Sequence, residues 1–316
     1  MKRRRIIFMG TPEAGAIILE RLILSDAYKP ALVITQPDKP TGKKQTLTAP
    51  PVKITAQAHH IEVWQPEKLN NQRVIEKIAA QKPDCIIVAV YGKLIPEKIL
   101  NIPACKTLNV HPSLLPRHRG PSPIQYTILE GDTAAGVSIM LTDKGMDTGP
   151  VLAQKSVPIE KDDTAPVLSQ KLFNIGADML LEMLPLWFDN KIIPVRQDDA
   201  KATLTALLKK EDGKIKPSDT AQRIKRMVRA LAPWPGVYLE FNDGRTLKIL
   251  KAEASPCEKT DAPLALSLTS KKELCLHTAD GCLVLETVHP ESKKPMSGYE
   301  FYIGWHNATQ KQSPAE

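Results

Sequence analysis

Cys85–Val90, CIIVAV, contains no polar side chain, and a strand apolar on both faces has to be covered on both, as in a parallel sheet flanked by helices. Related apolar runs, IIFMG from Ile6 and ALVIT from Ala31, precede it, with helix-periodic stretches such as AIILERLIL between them. Strand and helix patterns alternating in this way predict a doubly wound, mostly parallel α/β sheet. A length of 316 residues leaves room for a second domain. The pattern changes after Asn190, first to a polar stretch with Pro194 and paired aspartates, which reads as a linker. From Val237 onward, short alternating runs separated by NDG and ADG predict the hairpins of a small β-barrel of the OB-like kind. The expected organisation is a first domain over 1–189, a linker over 190–208 and a C-terminal β-barrel domain over 209–316.

Several function classes are set aside by spacing. No apolar run reaches the length of a membrane span, and MKRRR leads directly into a strand pattern rather than a signal segment, so a cytoplasmic protein with no membrane partner is expected. A monomer is the expected state, although no sequence feature reveals it. The five cysteines show no CxxC or zinc spacing and an odd count, which predicts reduced thiols and no metal. GTPEAG after the first strand lacks the glycine spacing of a dinucleotide fingerprint and reads as a tight strand-to-helix turn. Gly42-Lys43 lacks the context of a phosphate loop.

Chemistry concentrates in LNVHPSLLPRHRG, from Leu108, and LTDKGMDTGPV, from Leu141. Asn109 and His111 are two apart on a strand pattern, so both point to one side. An amide there offers a donor to a developing oxyanion, and an imidazole offers a proton carrier. Asp147, between two glycines, is suited to orient His111, although a turn aspartate is the plainer alternative. No serine sits in a nucleophile-elbow context. A net charge of +8 fits a polyanionic partner. Two places gather the cations: the Pro-rich loop Gln36–Lys53, with Lys39, Lys43 and Lys44, and a helix capped by Ser218 and running to Leu231. That helix has Ile224, Val228 and Leu231 on one face and Arg223, Lys225, Arg226 and Arg229 around the rest.

NVHPSLLPRHRG followed by MLTDKGMDTGPVL resembles the signature of the formyltransferases that use 10-formyltetrahydrofolate. GTPE, TQPDKPTGKK, PPVK, VAVYGKLIP, GPSPIQ and APWPG extend the resemblance along nearly the whole chain to the branch of that family acting on methionyl-tRNA. The resemblance implies attack of the methionyl amine of initiator tRNA on the formyl carbon, giving N-formylmethionyl-tRNA and tetrahydrofolate. Asn109 and His111 are then expected to stabilise the oxyanion, and Asp147 to hold His111 and help move the amine proton. It further implies that Ser113, Leu114, Leu115 and Pro116 lie against the folate. Tyr91, Gly92, Lys93, Leu94 and Ile95, with Thr142, Asp143 and Gly145 in the stretch to Met146, are expected to wall its pterin pocket. The lysine loop is assigned to the tRNA acceptor end, Lys210 to a position near the aminoacyl end, and the C-terminal barrel to the stem phosphates.

Some features depart from the family pattern. The loop carries only lysines where relatives commonly have an arginine, and KP follows KKEDGKI in place of an Asp-Trp pair. From Lys209 onward, 17 Lys and Arg face 14 Asp and Glu, so binding by the barrel would rest on the local face led by Arg223, Arg226 and Arg229. A formyl-folate enzyme acting on glycinamide ribonucleotide or an amino sugar, and a non-catalytic RNA-binding relative, remain as alternatives.

Overall fold

The Cys85–Val90 run forms the buried central strand that its composition demands as far as Ala89, and Val90, 39% exposed with φ 50°, already turns out of it. In the computed structural model, which describes residues 3–42, 45–255 and 263–310 with side chains as far as 305, Cys85–Ala89 is buried at every position. The strands of the first part are β1 (Ile6–Gly10), β2 (Leu32–Ile34), β3 (Lys39–Thr41), β4 (Thr46–Thr48), β5 (Glu62–Trp64), β6 (Cys85–Ala89), β7 (Thr107–His111), β8 (Ala134–Leu141) and β9 (Val151–Pro158). Between and after them come α1 (Glu13–Ile23), α2 (Pro51–Ala58), α3 (Gln72–Ala80), α4 (Glu97–Leu100), α5 (Pro123–Leu129) and α6 (Ala165–Phe188).

Seven of these strands make one doubly wound sheet in the order β5-β2-β1-β6-β7-β8-β9. Parallel pairing runs from β5 to β7, and β8 and β9 join antiparallel at one edge. One layer of the core is built from Ile7, Met9, Leu32, Ile34, Ile86 and Val88, all buried. The turn after Gly10 leads straight into α1, as expected of a close connection: a Cβ on Gly15 would come within 2.8 Å of the Ala89 carbonyl, so only glycine lets the helix pack this closely. Gln36–Lys53, expected as a loop, instead contains the exposed hairpin of β3 and β4. No helix among the described residues is long and apolar enough to cross a membrane.

The C-terminal part consists of α7 (Ala221–Ala230), β10 (Val237–Glu240), β11 (Thr246–Ser255), β12 (Leu266–Leu268), β13 (Leu274–His277), β14 (Cys282–Pro290), β15 (Met296–Ser297) and α8 (Gly298–Gln310). Its strands form an antiparallel half-barrel in the order β10-β11-β14-β13-β12, with β15 on β14. The NDG and ADG signals close the β10–β11 and β13–β14 hairpins. Thr220, not Ser218, caps α7: its side chain accepts from Arg223 N at 3.1 Å. The tail expected to be disordered after Trp305 begins as helix, because α8 continues to Gln310, and 311–316 lie outside the described residues. Cys85, Cys105 and Cys275 are free thiols, whereas Cys282 is disulfide-bonded, which corrects the expectation of reduced thiols throughout. Cys257 lies outside the described residues.

By internal contacts the chain divides into two compact units, one of 1–124, 133–159 and 167–206, the other of 125–132, 160–166 and 207–316.

Candidate active site

Asn109 and His111 alternate with buried Leu108 and Val110 on β7, so the two-residue period of the strand sets both on one face. β8 runs the other way, with Leu141 paired to Leu108. The loop after it therefore starts beside the opposite end of β7 and folds back across that face. It carries Asp147 to both residues: Oδ1 accepts from Asn109 Nδ2 at 3.4 Å, and Oδ2 lies 3.6 Å from His111 Nδ1. Oδ2 also accepts from Gly120 N at 2.9 Å, the shortest of these contacts.

His111 is almost fully buried. Its Nε2 lies 3.1 Å from the His118 carbonyl, which can only accept, so Nε2 carries a hydrogen. Nδ1 is thus the nitrogen presented to Asp147. His118 is held in turn by its own N–H, which donates to Thr203 Oγ1 at 2.8 Å. An amide donor, a buried imidazole of assigned orientation and a carboxylate converge within a few ångströms, an arrangement suited to stabilising charge on oxygen while moving a proton.

The expected folate-facing residues divide into inward and outward sets. Ser113 and Leu115 are buried. The Ser113 hydroxyl donates to Arg117 O, its carbonyl accepts from Ser138 Oγ at 2.6 Å, and Gln154 Nε2 donates to Leu115 O. Their polar groups hold the turn in shape, and Leu114 and Pro116 remain partly open. Tyr91 is buried, with its carbonyl accepting from Thr11 Oγ1 and Gln36 Nε2. Burial pushes the Tyr91 phenol up to about 12. Gly92 has φ 77°, and Lys93 Nζ donates to Glu67 O. Thr142 N–H donates to Thr107 O, while Asp143 accepts from Gly145 N and Thr148 Oγ1. Leu94 is 81% exposed and Met146 53% exposed, whereas Ile95 is half-buried and packs against the core cluster that includes Tyr91 and Ile99. Of these, Met146 directly precedes Asp147, and its sulfur lies 3.4 Å from where a Cβ on Gly120 would stand.

The expected RNA-facing cations are spread over both units. Lys39 is exposed, with Nζ 2.8 Å from Gln36 Oε1, and Lys43 and Lys44 lie outside the described residues. Lys210 is exposed. On α7, Arg223 pairs with Asp219 at 3.1 Å and Arg226 Nε donates to Gln222 O at 3.4 Å. Arg229 donates to Asp163 O, and desolvation holds its guanidinium below the ordinary arginine range.

Two residues near the triplet were not singled out from the sequence. Gln197 Nε2 donates to the carbonyls of Asp147 and Gly149, and Thr205 Oγ1 accepts from Ser122 N. Both come from the stretch read as a linker, where nothing but their polarity marked them.

The formyl transferase family matches residues 4–184, and the formyl transferase C-terminal domain matches 207–305. The chain belongs to the formyl transferase family. It is 42% identical to a methionyl-tRNA formyltransferase of Chloroflexus aurantiacus, covering 96% of this chain and 97% of that protein. Among solved structures it resembles WlaRD, a sugar 3N-formyl transferase, at 17% identity and a TM-score of 0.64, over 93% of this chain and all of that one. It also resembles HypX of Aquifex aeolicus in complex with tetrahydrofolic acid, at 18% identity and a TM-score of 0.61, over 95% of this chain. This chain spans 47% of the HypX chain, so that likeness covers about half of it. At such identities the two structures share the fold.

Proposed function

We propose that this chain transfers the formyl group of 10-formyltetrahydrofolate to the amine of methionyl-initiator-tRNA in the cytoplasm, releasing tetrahydrofolate. The observation that carries this reading is the convergence of Asn109, His111 and Asp147 in one contact group. The acceptor is argued from likeness over nearly the full length of a methionyl-tRNA formyltransferase, in contrast to the distant sugar enzyme.

In this reading Asn109 Nδ2 is free to turn from its long contact with Asp147 and donate to the formyl oxygen as charge develops there. His111 Nδ1 and Asp147 Oδ2 face each other across 3.6 Å and take up the proton that the attacking amine must lose, directly or through water. The bond formed is amine nitrogen to formyl carbon, the bond broken is formyl carbon to the folate nitrogen, and that nitrogen receives a proton on leaving. Leu114, Pro116, Leu94 and Met146 shelter the donor, with Tyr91–Ile95 and the loop from Thr142 shaping its pocket. Lys39, Lys43, Lys44, Lys210, Arg223 and Arg226 meet RNA phosphates, with Arg229 supporting that helix from within.

The test is a formylation assay with purified protein, 10-formyltetrahydrofolate and methionyl-initiator-tRNA, with glycinamide ribonucleotide and a nucleotide-linked amino sugar as competing acceptors. Wild-type protein is expected to yield N-formylmethionyl-tRNA, and His111→Ala to lose most of that activity while still binding tRNA. Transfer to a small amine with methionyl-tRNA ignored would overturn the acceptor assignment.

A further inference from the structure

Asp147 is the one member of the triplet with a left-handed backbone, φ 55°, a conformation a non-glycine residue keeps only where its surroundings impose it. The backbone carbonyl of Asp147 is held by Gln197. Both hydrogens of its side-chain amide are used at once, on the Asp147 carbonyl at 2.8 Å and the Gly149 carbonyl at 2.7 Å. Its oxygen accepts from Arg119 Nε at 2.9 Å, so the orientation of the amide is unambiguous: flipped, it would set oxygen against two carbonyls and nitrogen against a guanidinium.

Arg119 is the hub of this contact. Its side chain is only 6% exposed, and its second arm pairs with Asp199 Oδ1 at 2.7 Å. Its backbone is tied on both sides, N–H to Thr203 O and carbonyl to Thr205 N–H. The next residue, Gly120, donates its N–H to Asp147 Oδ2. A closed circuit results: Arg119 to Gln197, Gln197 to the Asp147 backbone, the Asp147 carboxylate to Gly120, and one peptide bond back to Arg119. The backbone and the carboxylate of Asp147 both hang from one buried arginine.

We infer that Gln197 and Arg119 are positioning residues for Asp147, fixing where its carboxylate stands relative to Asn109 and His111. The inference rests on the proposed formyl transfer, since it gives a purpose to the carboxylate's position. Neither residue touches the triplet's reacting atoms; both act through the loop that carries Asp147.

Gln197→Glu separates positioning from mere packing. The new carboxylate keeps the contact with Arg119, and strengthens it by charge, but turns two donors into an oxygen facing two carbonyl oxygens. A structural role exercised through Arg119 predicts no loss. The positioning role predicts a fall in kcat of about 10–100-fold, the scale expected of roughly 1 Å misplacement, with KM for folate and acceptor nearly unchanged. It also predicts faster hydrogen exchange at the Gly120 amide, whose partner has moved. Gln197→Ala, which places nothing against the carbonyls, serves if the glutamate variant does not fold, with the same direction expected. An unchanged kcat with an unchanged Gly120 amide overturns the inference, as does a loss of activity that only tracks the fraction unfolded. Because the amide exchange needs no acceptor, a wild-type protein that ignores methionyl-tRNA would refute the proposed function, and the exchange would still decide this one.

Discussion

Asp147→Asn is the sharpest perturbation of the proposed chemistry because it preserves shape. The amide oxygen can still accept from Gly120 N, now at 2.9 Å from Oδ2, so the loop keeps its anchor. The nitrogen then faces Asn109 Nδ2, a donor opposite a donor at what is now a 3.4 Å contact, and the charge facing His111 Nδ1 is gone. Losing a positioned proton acceptor costs about 10²–10⁴ in rate, or about 3–5 kcal/mol of transition-state stabilisation. The stability cost is smaller: the Gly120 bond becomes a neutral one and the long Asn109 contact is lost, together about 1–3 kcal/mol. Single-turnover formylation at saturating folate and methionyl-tRNA measures the first quantity, and urea unfolding followed by tryptophan fluorescence the second. A single-turnover rate near that of wild type, with the variant folded, would remove the carboxylate from the chemistry. A loss confined to the KM for tRNA would show that it serves binding instead.

Three further outcomes follow from packing and charge. Gly136→Ala would place a Cβ 2.3 Å from Leu114 Cδ2 and 2.6 Å from the Lys155 carbonyl, so Leu114 must shift. The KM for 10-formyltetrahydrofolate is expected to rise with a loss of about 1–3 kcal/mol in stability, and an unchanged KM would separate Leu114 from the folate pocket. The side-chain hydrogen bond from Lys225 at 2.6 Å holds Glu253 below the ordinary glutamate range, so its stabilisation is fully present above that range and is lost as pH falls through the depressed folded value. Glu253→Gln should therefore flatten the acid limb of C-terminal unfolding, and denaturation curves that stay parallel for the two proteins at every pH would refute it. Exposed Lys210, if it meets a phosphate, should on changing to Ala lower the slope of log affinity for tRNA against log salt by about 1, whereas an unaltered slope would place it off the RNA.

What could be read in advance depended on how local each determinant is. The same-side placement of Asn109 and His111 needs only the period of a strand, and the buried β6 needs only an apolar run with nothing to break it. The β3–β4 hairpin was hidden because it has no buried face. Its strands are exposed throughout, so no alternation is imposed, and its prolines and lysines look like those of a loop. The choice of Thr220 over Ser218 as cap was hidden for a different reason. Either hydroxyl suffices locally, but the first turn of α7 is pinned by Ala221 N–H donating at 2.8 Å to Asp280, a residue 59 positions away.

The stretch after Asn190 shows the same limit at the site itself. Ile193, Val195 and Leu204 are 85, 67 and 72% exposed, so its apolar residues carry no burial period and its composition reads as connection. Its attachment to the first unit is made by polar groups: Val195 exchanges backbone hydrogen bonds with Val151, Thr203 and Thr205 with the segment around Arg119, and Gln197 with the Asp147 loop. Such contacts leave no periodicity, because each depends on one amide or hydroxyl meeting a backbone group brought close by the fold. A glutamine in a polar stretch is therefore indistinguishable by composition from a solvated one. What sets Gln197 apart is that its two donors and its acceptor are all engaged, and that two of the partners belong to the loop whose carboxylate faces His111.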